Sequence, residues 1–330
     1  MNSLAELKLP EFDDILAAAG RLDGLAVKTP LLESPLLNEQ LGGRLLVKPE
    51  TLQRTGSFKF RGAYNRIATF SEEQRQQGIV AYSSGNHAQG VAAAAQLFGI
   101  PVTIVMPEDS PRIKIDNTHA YGATIVFYDR ETEKREEIAE QITRDSGASL
   151  VRPYDDPYII AGQGTVGLEL ARQAEESRAV LDDVVVPCGG GGLSAGMSIA
   201  LAELSPDTRV HIAEPDGFDD TRRSLVSGAI QINEPGPQSF CDSLLAPTPG
   251  DLTFAINRCL LAGGFAVSDT AVTEAMSMAF NFFKLVVEPG GAAALAAVAS
   301  GALSCQGRTV AVVCSGGNVD PQVFRDALSA

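Results

Sequence analysis

Tryptophan is absent from this sequence, and histidine occurs only three times in 330 residues. Cysteine occurs five times, as Cys188, Cys241, Cys259, Cys305 and Cys314. The number is odd and no two form a C-x-x-C pair, which argues against a disulfide framework or a zinc site. Positive charge is scarce too: 26 Lys and Arg stand against 41 Asp and Glu, a formal net charge of −15. A nucleic-acid partner favours a basic stripe, so that class is set aside. No run approaches the ~18 apolar residues of a membrane span. The opening segment, MNSLAELKLPEFDD, is acidic and has no apolar core, so no secretory signal is expected there. A cytoplasmic chain without nucleic-acid or membrane partners is the expectation.

What is present is an alternation of short apolar, β-rich runs with longer helical patterns. Strands are expected at Arg44–Lys48, Ile79–Ser83, Val102–Met106, Thr124–Tyr128, Asp183–Pro187, Val210–Ala213 and Thr309–Cys314. Asn86–Phe98, Glu131–Ser146 and Tyr158–Ala174 carry apolar residues at helical spacing. That rhythm predicts an α/β fold with largely parallel sheets covered by helices. Residues 71–155 have a rhythm of their own and are expected to form a small lobe. Residues 1–70 and 156–330 then form a larger domain around it.

Four stretches ask for one explanation. In Thr55-Gly56-Ser57-Phe58-Lys59-Phe60-Arg61-Gly62-Ala63 a lysine lies between two phenylalanines. Burial would lower its pKa and favour imine chemistry, although alone it reads as a surface lysine between core aromatics. Ser83-Ser84-Gly85-Asn86-His87 spans a strand end and a helix start, where free amides and hydroxyls can receive a carboxylate, or where Ser or Asn simply caps a helix. Gly189-Gly190-Gly191-Gly192-Leu193-Ser194 follows a strand and precedes a helix. Four glycines are entropically costly and no ordinary turn requires them, but they let several amides converge on a phosphate. Cys314-Ser315-Gly316-Gly317-Asn318 follows the last strand, where loops of an α/β sheet line the ligand crevice. A competing pattern exists: Gly190, Gly192 and Ala195 fit G-x-G-x-x-A, with Glu214 placed for a ribose hydroxyl, the outline of a nicotinamide-dependent oxidoreductase. It leaves Lys59, the Ser83–His87 stretch and Ser315 without a purpose.

Taken in order, SFKFRGA, SSGNH, GGGGL and SGGN resemble the fold-type II pyridoxal-phosphate enzymes, most of all the serine/threonine dehydratases and serine racemases. The resemblance covers nearly the whole chain. It implies the tryptophan synthase β-like fold, with two lobes each built on a mostly parallel twisted sheet. It also implies that Lys59 holds pyridoxal 5′-phosphate as a Schiff base and exchanges the α-proton. Phe58 would lie against the pyridine ring, Asn86 would bond the phenolic oxygen, and Ser315 would meet the pyridine nitrogen. Gly189, Gly190, Gly191, Gly192 and Leu193 would bind the phosphate. Ser83, Ser84, Asn86 and His87 would surround a substrate carboxylate, with Ser84 matching the second acid/base of the racemases. A hydroxyl at the pyridine nitrogen makes the ring a weaker electron sink than a carboxylate would, favouring prompt loss of a β-leaving group. The implied activity is dehydration and deamination of a small β-hydroxy amino acid such as L-threonine or L-serine. A racemase or a dehydratase of an analogue such as 3-hydroxyaspartate stands as the alternative.

Further positions match the family. Glu214 and Asp220 with the carbonyl of Phe218 resemble a Mg²⁺ or Ca²⁺ site, or else form an acidic surface loop. Glu288 matches a glutamate near the pyridine edge, or is a charge at a helix N-terminus. Arg135 aligns with a substrate-side arginine but sits in the charged run ETEKREE, which reads as a solvated face. The chain departs from the family at Ser243, in Cys241–Leu245, where Asp-Gly is common. It also ends soon after SGGN, so no appended regulatory domain is expected. A homodimer is the expected assembly.

Overall fold

The computed structural model describes residues 8–329; residues 1–7, half of the acidic opening segment, and residue 330 lie outside the described residues. Ten strands form two sheets. The larger is built from β1 (Leu32–Glu33), β2 (Arg44–Pro49), β7 (Asp183–Pro187), β8 (Arg209–Pro215), β9 (Gly263–Val267) and β10 (Thr309–Cys314), in the order β1-β2-β10-β7-β8-β9. Every pairing but β1 with β2 is parallel. The smaller, all parallel, is built from β3 (Ile79–Tyr82), β4 (Val102–Pro107), β5 (Thr124–Tyr128) and β6 (Ser149–Val151), in the order β5-β4-β3-β6.

Parallel strands need helical crossovers, which cover both faces of a sheet and make its strands apolar throughout. The larger sheet shows this residue by residue. Leu45, Val47, Val185, Val310 and Val312 belong to one core, with helices Asp269–Met278 and Pro289–Ala299. Their neighbours Leu46, Val184, Val186, Ala311 and Val313 belong to the other, with helices Pro157–Glu176 and Gly192–Leu204. The smaller sheet packs Ile79, Ala81, Val102 and Ile104 against helices Asn86–Phe98 and Lys59–Ala68.

The strand expectations hold to within two residues at each end. β1, β6 and β9 were not anticipated: two are only two or three residues long, and β9 opens on Gly263-Gly264, which breaks its alternation. The helix expected from Glu131 begins at Arg135, because Glu131 and its neighbours form a turn in which the Glu131 amide donates to the Asp129 carboxylate.

Helix Pro157–Glu176 joins the larger sheet to the lysine-bearing helix. Asp156 caps it, accepting from the amides of Tyr158 and Ile159 at 2.8 and 3.1 Å. Its glycines allow backbone-to-backbone contact. A methyl on Gly162 would lie 2.7 Å from the Arg61 carbonyl oxygen, and one on Gly196 would lie 2.3 Å from the Ile160 carbonyl oxygen. A buried ion cluster reinforces the junction. Arg61 donates to Glu50 at 2.7 Å and to Glu169 at 2.6 Å, and Lys48 donates to Glu169 at 2.6 Å. Removing one partner from such a cluster costs about 3–5 kcal/mol, because it strands a buried charge.

Two glycine substitutions should therefore move stability in opposite directions. Gly196→Ala should lose about 1–3 kcal/mol or more by forcing two backbones apart. Gly20→Ala, in helix Phe12–Leu22 with nothing within 4 Å of the new methyl, should gain about 0.4–1 kcal/mol. Urea unfolding measures both; equal effects would mean that the helices do not meet at Gly196.

Candidate active site

The cleft is assembled from loops at the carboxyl ends of parallel strands. Gly189 follows β7, Ser315 follows β10, Ser83 follows β3 and Pro153 follows β6. β7 and β10 are neighbours in one sheet, as are β3 and β6 in the other, so the four loops converge. Phe58, Lys59, Ser83, Ser84, Asn86, His87, Gly189, Gly190, Gly191, Gly192, Leu193 and Ser315 all line this one cleft.

Lys59 opens helix Lys59–Ala68. Its ammonium donates to the Pro153 carbonyl at 2.7 Å and lies 5.2 Å from the centre of the Phe58 ring. Burial first, and the Arg135 cation second, bring its pKa down to about 8. The lysine is thus a usable nucleophile and base near neutrality. Its segment is pinned to the last motif, since the Phe58 amide donates to the Ser315 carbonyl at 3.1 Å and Ser57 bridges Gly316.

A second pin comes from Asn318, whose side-chain amide donates both to the Thr55 carbonyl at 2.8 Å and to Asn86 Oδ1 at 2.9 Å. Asn86 in turn donates to Glu288. Glu288 stands at the N-terminus of helix Pro289–Ala299, as one reading of the sequence had it, but is buried there and pairs with Lys114 at 2.7 Å. Lys114 also pairs with Asp242 at 2.7 Å. Burial alone would lower the Lys114 pKa, but the two carboxylates hold it above its ordinary value. Its stem explains Gly85: a methyl there would lie 2.0 Å from Lys114 Cδ.

His87 is neutral. Burial above all, then the Lys59 charge, pushes it down to about 3, and its Nε2 meets the Val151 carbonyl at 3.1 Å. A carbonyl accepts, so Nε2 carries the proton and Nδ1 keeps a lone pair. The Ser83 hydroxyl accepts from the Gly85 amide at 3.0 Å, while Ser84 has no hydrogen-bond partner among the described residues.

The glycine loop has its carbonyls tied back. Thr253 donates to the Gly190 carbonyl at 2.7 Å, and Ser194 to that of Gly191 at 3.0 Å. The amides of Gly189 to Leu193 have no partner among the described residues. Gly191 adopts φ 85°, which favours glycine, and a methyl on Gly190 would enter the Tyr154 ring at 2.3 Å. Free amides at the start of helix Gly192–Leu204 form an anion cradle, with a reactive amine and a buried hydroxyl in the same cleft.

Comparison with known proteins agrees with that chemistry. Residues 22–316 match the family described as pyridoxal-phosphate dependent enzyme. The chain belongs to the pyridoxal-phosphate dependent enzymes. An L-threo-3-hydroxyaspartate ammonia-lyase from Pseudomonas sp is 41% identical over 322 residues, which is 98% of this chain and 99% of that one. An L-threonine ammonia-lyase from Thermotoga maritima is 41% identical over 93% of this chain and 75% of its own. The structure of maize serine racemase superposes with a TM-score of 0.90 at 37% identity, covering 98% of each chain. The residues present fit pyridoxal phosphate: an amine for the aldehyde, five unpartnered amides for the phosphate, and the Ser315 hydroxyl for the ring.

Two expectations need correction in this pyridoxal-phosphate dependent enzyme. The oxidoreductase outline fails, because Glu214 is fully buried and accepts from the amides of Thr221 and Arg222 at 3.1 and 2.8 Å instead of facing a ribose. Arg135 is not on a solvated face: it is half-buried on the cleft wall, 5.2 Å from the Tyr82 ring centre. Glu214, Phe218 and Asp220 lie away from the cleft. No cluster of three or more His, Cys, Asp or Glu placed for a metal occurs among the described residues. Asp220 is pushed up to about 6 by burial, and Glu214 well above the carboxylate range by burial and Asp220. Sequence reasoning missed Tyr154 and Lys114; a tyrosine before a capping Asp, or a lysine in a mixed helix, gives no periodic signal.

Acetylation of Lys59 in cofactor-free protein, followed by mass spectrometry, should rise with pH through about 8, because only the neutral amine reacts. Arg135→Gln removes a like charge, so its transition should move to higher pH. A wild-type midpoint near that of an ordinary lysine would contradict the burial of Lys59.

Proposed function

We propose that this enzyme eliminates water and ammonia from a β-hydroxy amino acid carrying a second carboxylate, 3-hydroxyaspartate, in preference to L-threonine or L-serine. The observation that carries this reading is Arg135: a cation on the cleft wall, stacked near Tyr82, whose only ion pair among the described residues is with the adjacent Glu136 at 2.8 Å. A planar guanidinium in that position suits a side-chain carboxylate. Relatives named L-threo-3-hydroxyaspartate ammonia-lyase, from Pseudomonas sp and Saccharomyces cerevisiae, support it.

Bound pyridoxal phosphate supplies the electron sink that makes an amino acid's α-proton removable. There the Lys59 amine would take that proton, and its low pKa keeps it unprotonated often enough to do so. Arg135 holds the distal carboxylate, and the glycine-loop amides hold the phosphate. The β-hydroxyl would leave as water on taking up one proton, in balance with the one removed from the α-carbon, and a second water then hydrolyses the freed enamine to a 2-oxo acid and ammonia. Racemisation is a second reading, favoured by the Ser84 hydroxyl, which lines the cleft and is committed to no other group.

The test is a panel of L- and D-threonine, serine and 3-hydroxyaspartate, assayed for oxo acid, ammonia and opposite enantiomer. L-threo-3-hydroxyaspartate should have the highest kcat/KM. Arg135→Gln should lower that value by roughly ten- to hundredfold, the worth of a charged hydrogen bond, while changing serine little. Lys59→Ala should abolish every product, and Ser84→Ala should lose enantiomer conversion more completely than oxo acid. Serine outperforming hydroxyaspartate, with both insensitive to Arg135, would reject the preference.

The buried Glu214 and Asp220 carry a second proposal, a bound Mg²⁺ or Ca²⁺. Asp220 Oδ2 is buried without a partner among the described residues, and two carboxylates that repel each other suit a hard cation. Either cation should raise the Tm of chelator-treated protein by a few degrees, and Asp220→Asn should remove that response. A Tm indifferent to chelator and cation would leave these carboxylates purely structural.

A further inference from the structure

Gln163 is fully buried, and neither its Nε2 nor its Oε1 has a partner among the described residues. Buried polar groups are nearly always satisfied, so an amide empty at both ends marks a place where something else completes it. Its position is specific. It lies between Gly162 and Gly164, the residues whose missing side chains let helix Pro157–Glu176 touch helix Lys59–Ala68 on one side and helix Gly192–Leu204 on the other. A methyl on Gly62 would lie 3.2 Å from Gln163 Nε2, and a methyl on Gly192 would lie 2.7 Å from its Oε1. The carboxamide therefore spans from the lysine-bearing helix to Gly192, the first residue of the glycine-loop helix.

We propose that Gln163 is a positioning residue for the phosphate end of the cofactor, its carboxamide donating to a phosphate oxygen directly or through one ordered water. The inference rests on the glycine loop being the phosphate cradle. A half-turn of the amide exchanges oxygen for nitrogen with almost no change of shape. In the structure Oε1 is the end that faces Gly192, at the positive end of helix Gly192–Leu204. With a phosphate dianion in the cradle, Nε2 faces it instead. A lysine or arginine in this space would carry a charge into a three-helix junction; a neutral amide serves either state.

The experiment titrates cofactor-free protein with pyridoxal phosphate and, separately, with pyridoxal, which forms the same imine but has no phosphate. Gln163→Met keeps the volume and removes the hydrogen bonds; Gln163→Glu keeps the shape and adds a negative charge. Gln163→Met should weaken pyridoxal phosphate about tenfold and leave pyridoxal unchanged. Gln163→Glu should weaken the phosphate ester further by like-charge repulsion, again sparing pyridoxal. The Tm gained by the cofactor-free wild type in inorganic phosphate should shrink in both variants. Should Gln163→Met fail to fold, Gln163→Glu carries the comparison. If the two ligands weaken by the same factor, or neither changes, Gln163 only packs the junction and the proposal falls. If the wild type itself binds pyridoxal as tightly as its phosphate ester, the cradle reading fails first, a result distinct from any effect of Gln163.

Discussion

Helix Pro157–Glu176 touches two other helices without intervening side chains, and the geometry of the cleft depends on that contact. One neighbour begins with Lys59 and the other begins with the glycine loop. Backbones in van der Waals contact leave no slack for side-chain repacking to absorb, so amine and anion cradle keep a fixed separation. Arg61, two residues beyond the lysine, fixes rotation as well as distance by binding Glu50 on one side and Glu169 on the other. Such a cluster adds little net stability, yet it forbids alternatives that would strand a charge.

The electrostatics of the cleft follow from the same economy of cations. His87 is kept neutral, and the Arg135 cation acts on the buried Lys59 amine from the cleft wall. Their repulsion lowers the lysine's proton affinity, and an anionic substrate that binds Arg135 screens that repulsion. On the proposed reading, substrate arrival would alter the basicity of Lys59. A substrate without the second carboxylate leaves the repulsion in place.

Much of this was legible before any coordinates. The larger sheet announced itself because strands buried on both faces read as unbroken apolar runs, as in Val184-Val185-Val186; the glycine loop was readable because a run of four glycines has few other uses, and the other three motifs gained meaning only from their order beside it. Short strands such as Ser149–Val151 left too few residues to show a period. Arg135 was misread for a different reason. Its neighbours Glu133, Lys134, Glu136 and Glu137 are all exposed, and one inward-facing arginine in such a run does not alter the pattern. Gln163 was invisible because its significance lies in two glycines of other helices, far away in sequence. Charge and packing that depend on tertiary neighbours leave no local trace.

Lys114 has one further consequence. It reaches from the helix between β4 and β5 of the smaller sheet to Asp242 and Glu288, which belong to the rest of the molecule. Asp242 heads the segment Ser243–Ala246 that walls the cleft. The lobe and this wall are thus parts of one lever, with a buried ammonium as its pin. The Lys114–Glu288 half of that joint is shut off from water, while Asp242 is partly exposed at its cleft side. A change of side chain at Ser243 is therefore coupled, through Asp242 and the Lys114 ammonium, to the helix between β4 and β5.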